Sequence, residues 1–435
     1  MNRFNLLLTL VLSVVVNVLS SQELITAEDA VSIALQNNFQ VRISRNEAEA
    51  AAIMATHGNA GMLPRFDIIG NGQLQSSNID QKFSNGLEVQ RNGVGSNAIT
   101  AQAAMTWTLF DGSRMFHAYN RLKEQEAGGK IALRRQMELT IEEVLTAYYS
   151  IVRNKQELTA LEFGLKISEE QVKVTSAQVE AGAGTRPLVL LALTNRNGWN
   201  SRVLQQKVLL QNEALELNRL LNRDLLLPFS VSDSIPTQFS SSLPELTKTA
   251  IDQNASVLLL RNNESILGYQ VKELKSAHAP RLGLNASYGL SRSSSQGGFA
   301  LYNFNQGPAV GLQFNWNIFN GRILNTQIKQ ASLFQLNASL LTEDGQNKVS
   351  SDVIQAYRIW ESAIELRKLE EENFLLAKEN SIILAERFKS GLDNILLVNE
   401  AQRNFQEAIS RVTVARYAVK KSEISLMRLS GMLLK

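Results

Sequence analysis

The second half of this sequence repeats the first, so whatever structure the chain adopts must be buildable twice, and that limits the fold before any motif does. Displaced by 209 residues, Trp107 falls on Trp316, Phe110 on Phe319, Gly112 on Gly321, Ala147 and Tyr148 on Ala356 and Tyr357, and Gly182 on Gly391. The register continues through Val189 with Val398, Ala192 with Ala401, and Leu217, Arg219 and Leu220 with Leu426, Arg428 and Leu429. Upstream the displacement becomes 216, which pairs Pro64 and Arg65 with Pro280 and Arg281, Ala34 with Ala250 and Asn38 with Asn254. One seven-residue insertion between Arg65 and Trp107 separates the two registers and points to a surface loop that tolerates length change. The repeats are placed at 22–230 and 231–435, joined through the Ser- and Pro-containing stretch from Pro228 to Pro244.

Residues 1–21 read as a secretory signal peptide: Asn2 and Arg3 make a short basic start, Phe4 to Leu19 is nearly all apolar, and small residues follow, with cleavage expected near Ser21 or Gln22. Beyond it no stretch approaches roughly 18 apolar residues, so any membrane contact must come from strands or an amphipathic surface. The absence of cysteine removes disulfides, thiolate zinc sites and a lipidated N-terminal cysteine, and suits an oxidising periplasm. With a net charge of +3 and both signs mixed along the chain, no field gathers a polyanion, and nucleic acid is not an expected partner.

Each half opens with a helix-start signal, Thr26 with Asp29 and Ser242 with Glu245, and these first helices are expected to run to about Gly61 and Ala279, ahead of Pro64 and Pro280. After Gly112 and Gly321 come proline-free stretches, about 113–181 and 322–390, which as helices would be roughly 100 Å long. Their apolar positions step by three and four, as in Ile141, Val144, Tyr148 and Val152, or Val349, Val353, Tyr357 and Trp360, the spacing of packed coiled helices. The aromatic members read as core. Turns at Gly182 to Pro187 and Gly391 to Asn394 then start return helices ending near Leu227 and Leu434.

Between the first and second helices the period changes to two. Strands are expected at about 66–75 and 98–110, and at about 282–291 and 308–319, with loops from Ser76 to Asn97 and from Arg292 to Gln306. In the second half Leu282, Leu284, Ala286, Tyr288 and Leu290 alternate with polar or small residues, and Val310, Leu312, Phe314, Trp316 and Ile318 do the same. About ten residues of apolar-out, polar-in alternation is the signature of a membrane β-strand, and Trp107 and Trp316 would end their strands in an aromatic girdle at the lipid boundary. A soluble hairpin with one face on a core is the competing reading. Four strands cannot close in lipid without leaving backbone groups unpaired. Two chains would pool eight strands around a filled interior, and three would pool twelve around a lumen.

On these features the mature chain resembles the TolC-like family of outer-membrane efflux proteins. The resemblance rests on Ile25 to Ala30, Ala34 to Asn38, Leu63 with Pro64, Trp-x-x-Phe-x-Gly at 107 and 316, and the glycine turns followed by Leu or Val and Ala at 182–192 and 391–401. It implies a mainly α fold with a small membrane β-barrel contribution, each half giving two antiparallel strands and long coiled helices. It further implies a homotrimer with a 12-stranded β-barrel and a 12-helix periplasmic α-barrel. The role implied is a passive exit duct of a tripartite efflux pump or type I secretion system, carrying small molecules or peptides outward. Its partners would be a periplasmic adaptor protein, a proton-driven or ATP-driven inner-membrane pump, and outer-membrane lipid. By the same resemblance Gly182, Ala183, Gly184, Gly391, Leu392 and Asp393 form the adaptor-docking tip, and Leu397 and Glu400 take the place of the acidic rings that narrow the tunnel. Leu397 departs from that acidic pattern, and Asp393 replaces a basic residue of some members.

No catalytic chemistry is read from the sequence. His57, His117 and His278 have no metal-ligand spacing, and neither a nucleophile elbow, HExxH nor a phosphate loop occurs. No cofactor is expected, and the energy for transport would come from partners. The alternative is a periplasmic coiled-coil tether or adaptor without a pore, which would keep the long helices but has no use for four alternating strands.

Overall fold

The computed structural model describes residues 23–237, 239–297 and 300–434; the signal peptide expected at 1–21 lies outside them. The first half runs β1 (Glu23–Leu24), α1 (Ala27–Asn37), α2 (Phe39–Met54), β2 (Arg65–Lys82), β3 (Glu88–Phe110), α3 (Arg114–Glu180) and α4 (Arg186–Leu221). The second runs β4 (Phe229–Ser230), α5 (Leu243–Gln253), α6 (Ala255–Ser276), β5 (Arg281–Ser295), β6 (Tyr302–Asn315), α7 (Ile323–Lys389) and α8 (Ile395–Leu429). Both α3 and α7 contain 67 residues. No described helix is long and apolar enough to cross a membrane.

Two compact units emerge, and each draws on both halves of the sequence. The first takes in residues up to Asn46, Ile131–Leu258 and those from Asp344 onward. Its core is built in duplicate. Ala34, Val144, Tyr148 and Leu217 pack in one cluster, and their repeat counterparts Ala250, Val353, Tyr357 and Leu426 in another, where Trp360 meets Phe239 edge-on. Tyr148 is fully buried, so its hydroxyl needs a partner, and it donates to the Ile25 carbonyl at 3.0 Å beside the short parallel pair β1–β4.

The opening helices are shorter than expected and broken in two. Neither a proline nor a glycine interrupts the run at Asn38 or Asn254. Instead the Asn38 side chain accepts the N–H of Gln40 and donates to the Leu220 carbonyl, and Asn254 does the same to Ser256 and Leu429. The second segments then stop at Met54 and Ser276 rather than near Gly61 and Ala279. Thr26 and Asp29 form the expected reciprocal cap, whereas Ser242 makes no cap bond and Ser241 reaches Glu245 in its place.

The second unit, Glu47–Lys130 with Leu259–Glu343, carries one antiparallel sheet in the order β2-β3-β5-β6. Its strands reach further than the alternation suggested. Most of the span from Ser76 to Asn97 is not a loop: pairing continues from Ser76 opposite Gly95 to Lys82 opposite Glu88, past a bulge between Ser77 and Ile79. Residues 292–294 and 302–306 are likewise paired. Apolar alternation fades there because Ile79, Val89 and Val94 are scattered among polar residues, while the ladder depends on backbone groups alone. The seven inserted residues therefore lengthen a hairpin. At the other end β6 stops at Asn315, because its last partner is Arg281 and the preceding Pro280 has no N–H to offer, so Trp316 and Ile318 lie just beyond the strand.

Candidate functional site

Register decides which residues share a face of the sheet, and here it gathers the apolar ones. Phe66, Met105, Ala286 and Val310 form one cross-strand row, and Trp107, Leu284 and Leu312 form another. On the opposite face the rows are polar, such as Asn71, Thr100, Ser291 and Asn305. The apolar face is bare: Ile68 is 89% exposed and Val310 76%. The outer strands β2 and β6 each have one unpaired edge in the chain. Such a face costs free energy in water roughly in proportion to its apolar area.

The two tryptophans mark the base of this sheet. Trp107 Nε1 donates to the Met62 carbonyl at 2.9 Å, and Trp316 Nε1 to the His278 carbonyl at 3.0 Å. Each indole thus ties a strand end to the segment leading into the neighbouring strand, while its ring stays partly exposed. Trp107 sits three residues inside the end of β3 rather than at its terminus.

In the first unit the α3–α4 and α7–α8 connections are one motif made twice. Gly182 and Gly391 have φ of +72° and +75°, and a Cβ on either would meet nothing within 4 Å, so backbone conformation rather than space demands glycine. The residue after each glycine returns a bond to the helix just left: Ala183 to the Gln178 carbonyl at 2.8 Å and Leu392 to Arg387 at 2.9 Å. Beneath the turns, Leu188 packs with Ala192, Phe388, Ile395 and Val398.

Their differences lie one step further on. A Cβ at Gly184 would come within 3.1 Å of the Val179 nitrogen. The matching Asp393 is instead ion-paired to Arg387 within its own hairpin, which holds the guanidinium above its usual range. Asn394 accepts the N–H groups of Leu396 and Leu397, a cap that Thr185 does not supply in the first hairpin. Leu392 is exposed, as are Leu397 and Glu400 on the first turns of α8, whose buried neighbours are Val398 and Ala401.

A polar layer close to these residues went unread in the sequence. Asn195 donates to Asn399 at 3.0 Å and to Gln402 at 2.7 Å, with Gln171 beside them, and both glutamines are almost wholly buried. Its one visible signal is that Gln402 interrupts the apolar stripe of Val398, Phe405 and Ile409.

The model of the family described as "Outer membrane efflux protein" matches residues 30–223 and 246–432. Among individual proteins, the outer membrane protein TolC of Escherichia coli (strain K12) is 24% identical over 417 residues, covering 91% of this chain and 80% of TolC. The alkaline protease secretion protein AprF of Pseudomonas aeruginosa is 22% identical over 399 residues, covering 89% and 81%. The crystal structure of the Campylobacter jejuni CmeC outer membrane channel superposes with a TM-score of 0.77 at 17% identity, covering 93% of this chain and 85% of CmeC.

Proposed function

Since the chain belongs to the outer membrane efflux protein family, we propose that it is a passive exit duct, assembled from three copies, through which small molecules or peptides leave the periplasm. It is an outer-membrane protein extending into the periplasm. The observation that carries the reading is the sheet of β2, β3, β5 and β6: one bare apolar face, one polar face, and two open edges. Lipid against the apolar face removes its hydration cost, and pairing β6 of one copy with β2 of the next removes both edges. Three copies give twelve strands, enough for a polar-lined lumen, where two would give a filled cylinder. The repeats at 22–230 and 231–435 supply two strands and one long helical hairpin each.

In this assembly the exposed turns at Gly182–Gly184 and Gly391–Asp393 are where a periplasmic adaptor docks. Leu397 and Glu400, one apolar and one acidic, narrow the tunnel just inside, and Trp107 and Trp316 lie at the inner lipid boundary. An inner-membrane pump supplies the energy, and the chain itself catalyses nothing. Conductance of the purified protein in planar lipid bilayers tests the duct: stepwise, salt-dependent currents are expected, and silence across pH and salt would favour a tether without a pore. Replacing Gly391 with valine is expected to leave assembly intact, at a cost of about 1–2 kcal/mol for a β-branched residue at positive φ, while lowering export. Unchanged export would remove the docking role from this turn.

A further inference from the structure

The apolar face of the sheet has an outer margin as well as an inner one. From Leu282 opposite Phe314 up to Leu290 opposite Gln306, no position on that face of β5 or β6 carries a charge, and the next pair is Arg292 opposite Phe304. The ten residue steps from Leu282 to Arg292 correspond to about 33 Å along a strand, and about 25 Å across a membrane for a strand tilted by about 40°, the height of the apolar band in outer-membrane barrels. Arg292 is therefore the first charge met on the lipid side, at the level where hydrocarbon gives way to headgroups. Its direction agrees with that level. The guanidinium carbon lies 5.4 Å from the centre of the Tyr302 ring, and Tyr302 pairs with Ser294, two residues further from the band. An arginine on a lipid face is costly at mid-depth and nearly free when its head reaches the interface. Among the described residues Arg292 makes no ion pair, so its charge is left without a counter-ion.

We propose that Arg292, backed by the rings of Tyr302 and Phe304, binds the phosphate of an anionic lipid headgroup in the outer leaflet and so fixes how deeply the barrel sits. This rests on the apolar face lying in lipid. The guanidinium matches a phosphate in charge and in its paired N–H donors, and the two rings beside it offer flat apolar surface to the sugar and chain of the same lipid.

The test uses the full assembled protein in micelles, with lipid A as the probe and retained lipid counted by native mass spectrometry. Arg292→Gln is expected to weaken retention about fivefold per site, the usual worth of one basic residue beside an anionic surface. Arg292→Lys, which keeps the charge but not the fork, is expected to fall between, and it serves if the glutamine variant assembles poorly. Equal retention by wild type and Arg292→Gln overturns the site, as does thermal protection by inorganic phosphate equal to that by lipid A. Failure of the underlying reading shows separately. Of the four tryptophans, Trp199 and Trp360 are buried among helices, so brominated lipids in reconstituted vesicles must quench Trp107 and Trp316 if the face lies in lipid. Absent quenching sinks the membrane placement itself, whereas quenching with unchanged lipid A retention sinks the phosphate site alone.

Discussion

Burial raises the proton affinity of Glu423, which sits almost inaccessible on α8, and the nearby Lys420 ammonium at 3.2 Å does not offset the lost hydration. Because its folded pKa lies above the unfolded one, the carboxylate weakens the fold at neutral pH. That penalty shrinks as pH falls through the raised value and is gone below the ordinary glutamate range. Glu423→Gln is therefore expected to raise the melting temperature at pH 7, with the gain disappearing in acid; a gain independent of pH would show that charge is not the cause. Gly164 is set by space instead, since a Cβ there would lie 2.3 Å from the buried Trp199 ring. Gly164→Ala is expected to cost about 1–3 kcal/mol of stability in thermal or urea unfolding, because the indole has no room to retreat.

Elements end where local chemistry or a distant bond ends them, and only the first kind is legible in a sequence. The turns at Gly182 and Gly391 could be read because positive φ selects glycine, and α3 and α7 because nothing in either run stops a helix. The breaks at Asn38 and Asn254 could not. Each is made by an amide that caps the following segment while holding a carbonyl some 180 residues away in sequence, at Leu220 or Leu429. Asn254→Ala is expected to cost about 2–3 kcal/mol, through the lost cap and the orphaned Leu429 carbonyl, and Asn38→Ala somewhat less because that site is wetter. Equal, negligible losses in urea unfolding would mean that the helices break for another reason. The extension of β2 and β3 was hidden for a related reason: its few apolar residues, Ile79, Val89 and Val94, keep no regular alternation that would announce it. Below the α7–α8 turn, Gln402 interrupts a stripe that otherwise reads as core, and only the positions of Asn195 and Asn399 show why an amide belongs there.

For the whole molecule, the open edges of β2 and β6 make oligomer size the decisive quantity. The natural chain has no cysteine, so one introduced on β2 and one on β6 report on each other without interference. Oxidation in the membrane is expected to build a covalent ladder on denaturing gels that stops at three; a ladder ending at two, or one that never closes, rules out the twelve-stranded lumen. The two halves are not equal partners in such a ring. Beyond Gly95, whose carbonyl accepts the Gln296 N–H just past the end of β5, the ladder of β2 and β3 runs on to its turn at residues 83–87, whereas among the described residues β5 and β6 pair no further than Ser294 opposite Tyr302. In the proposed trimer the six hairpins would thus be three tall and three short, the tall ones all from the first repeat. With the proposed duct seated in the outer membrane, antibodies or proteases added outside intact cells are expected to meet residues 77–95 first, a taller target than anything the second hairpin pairs.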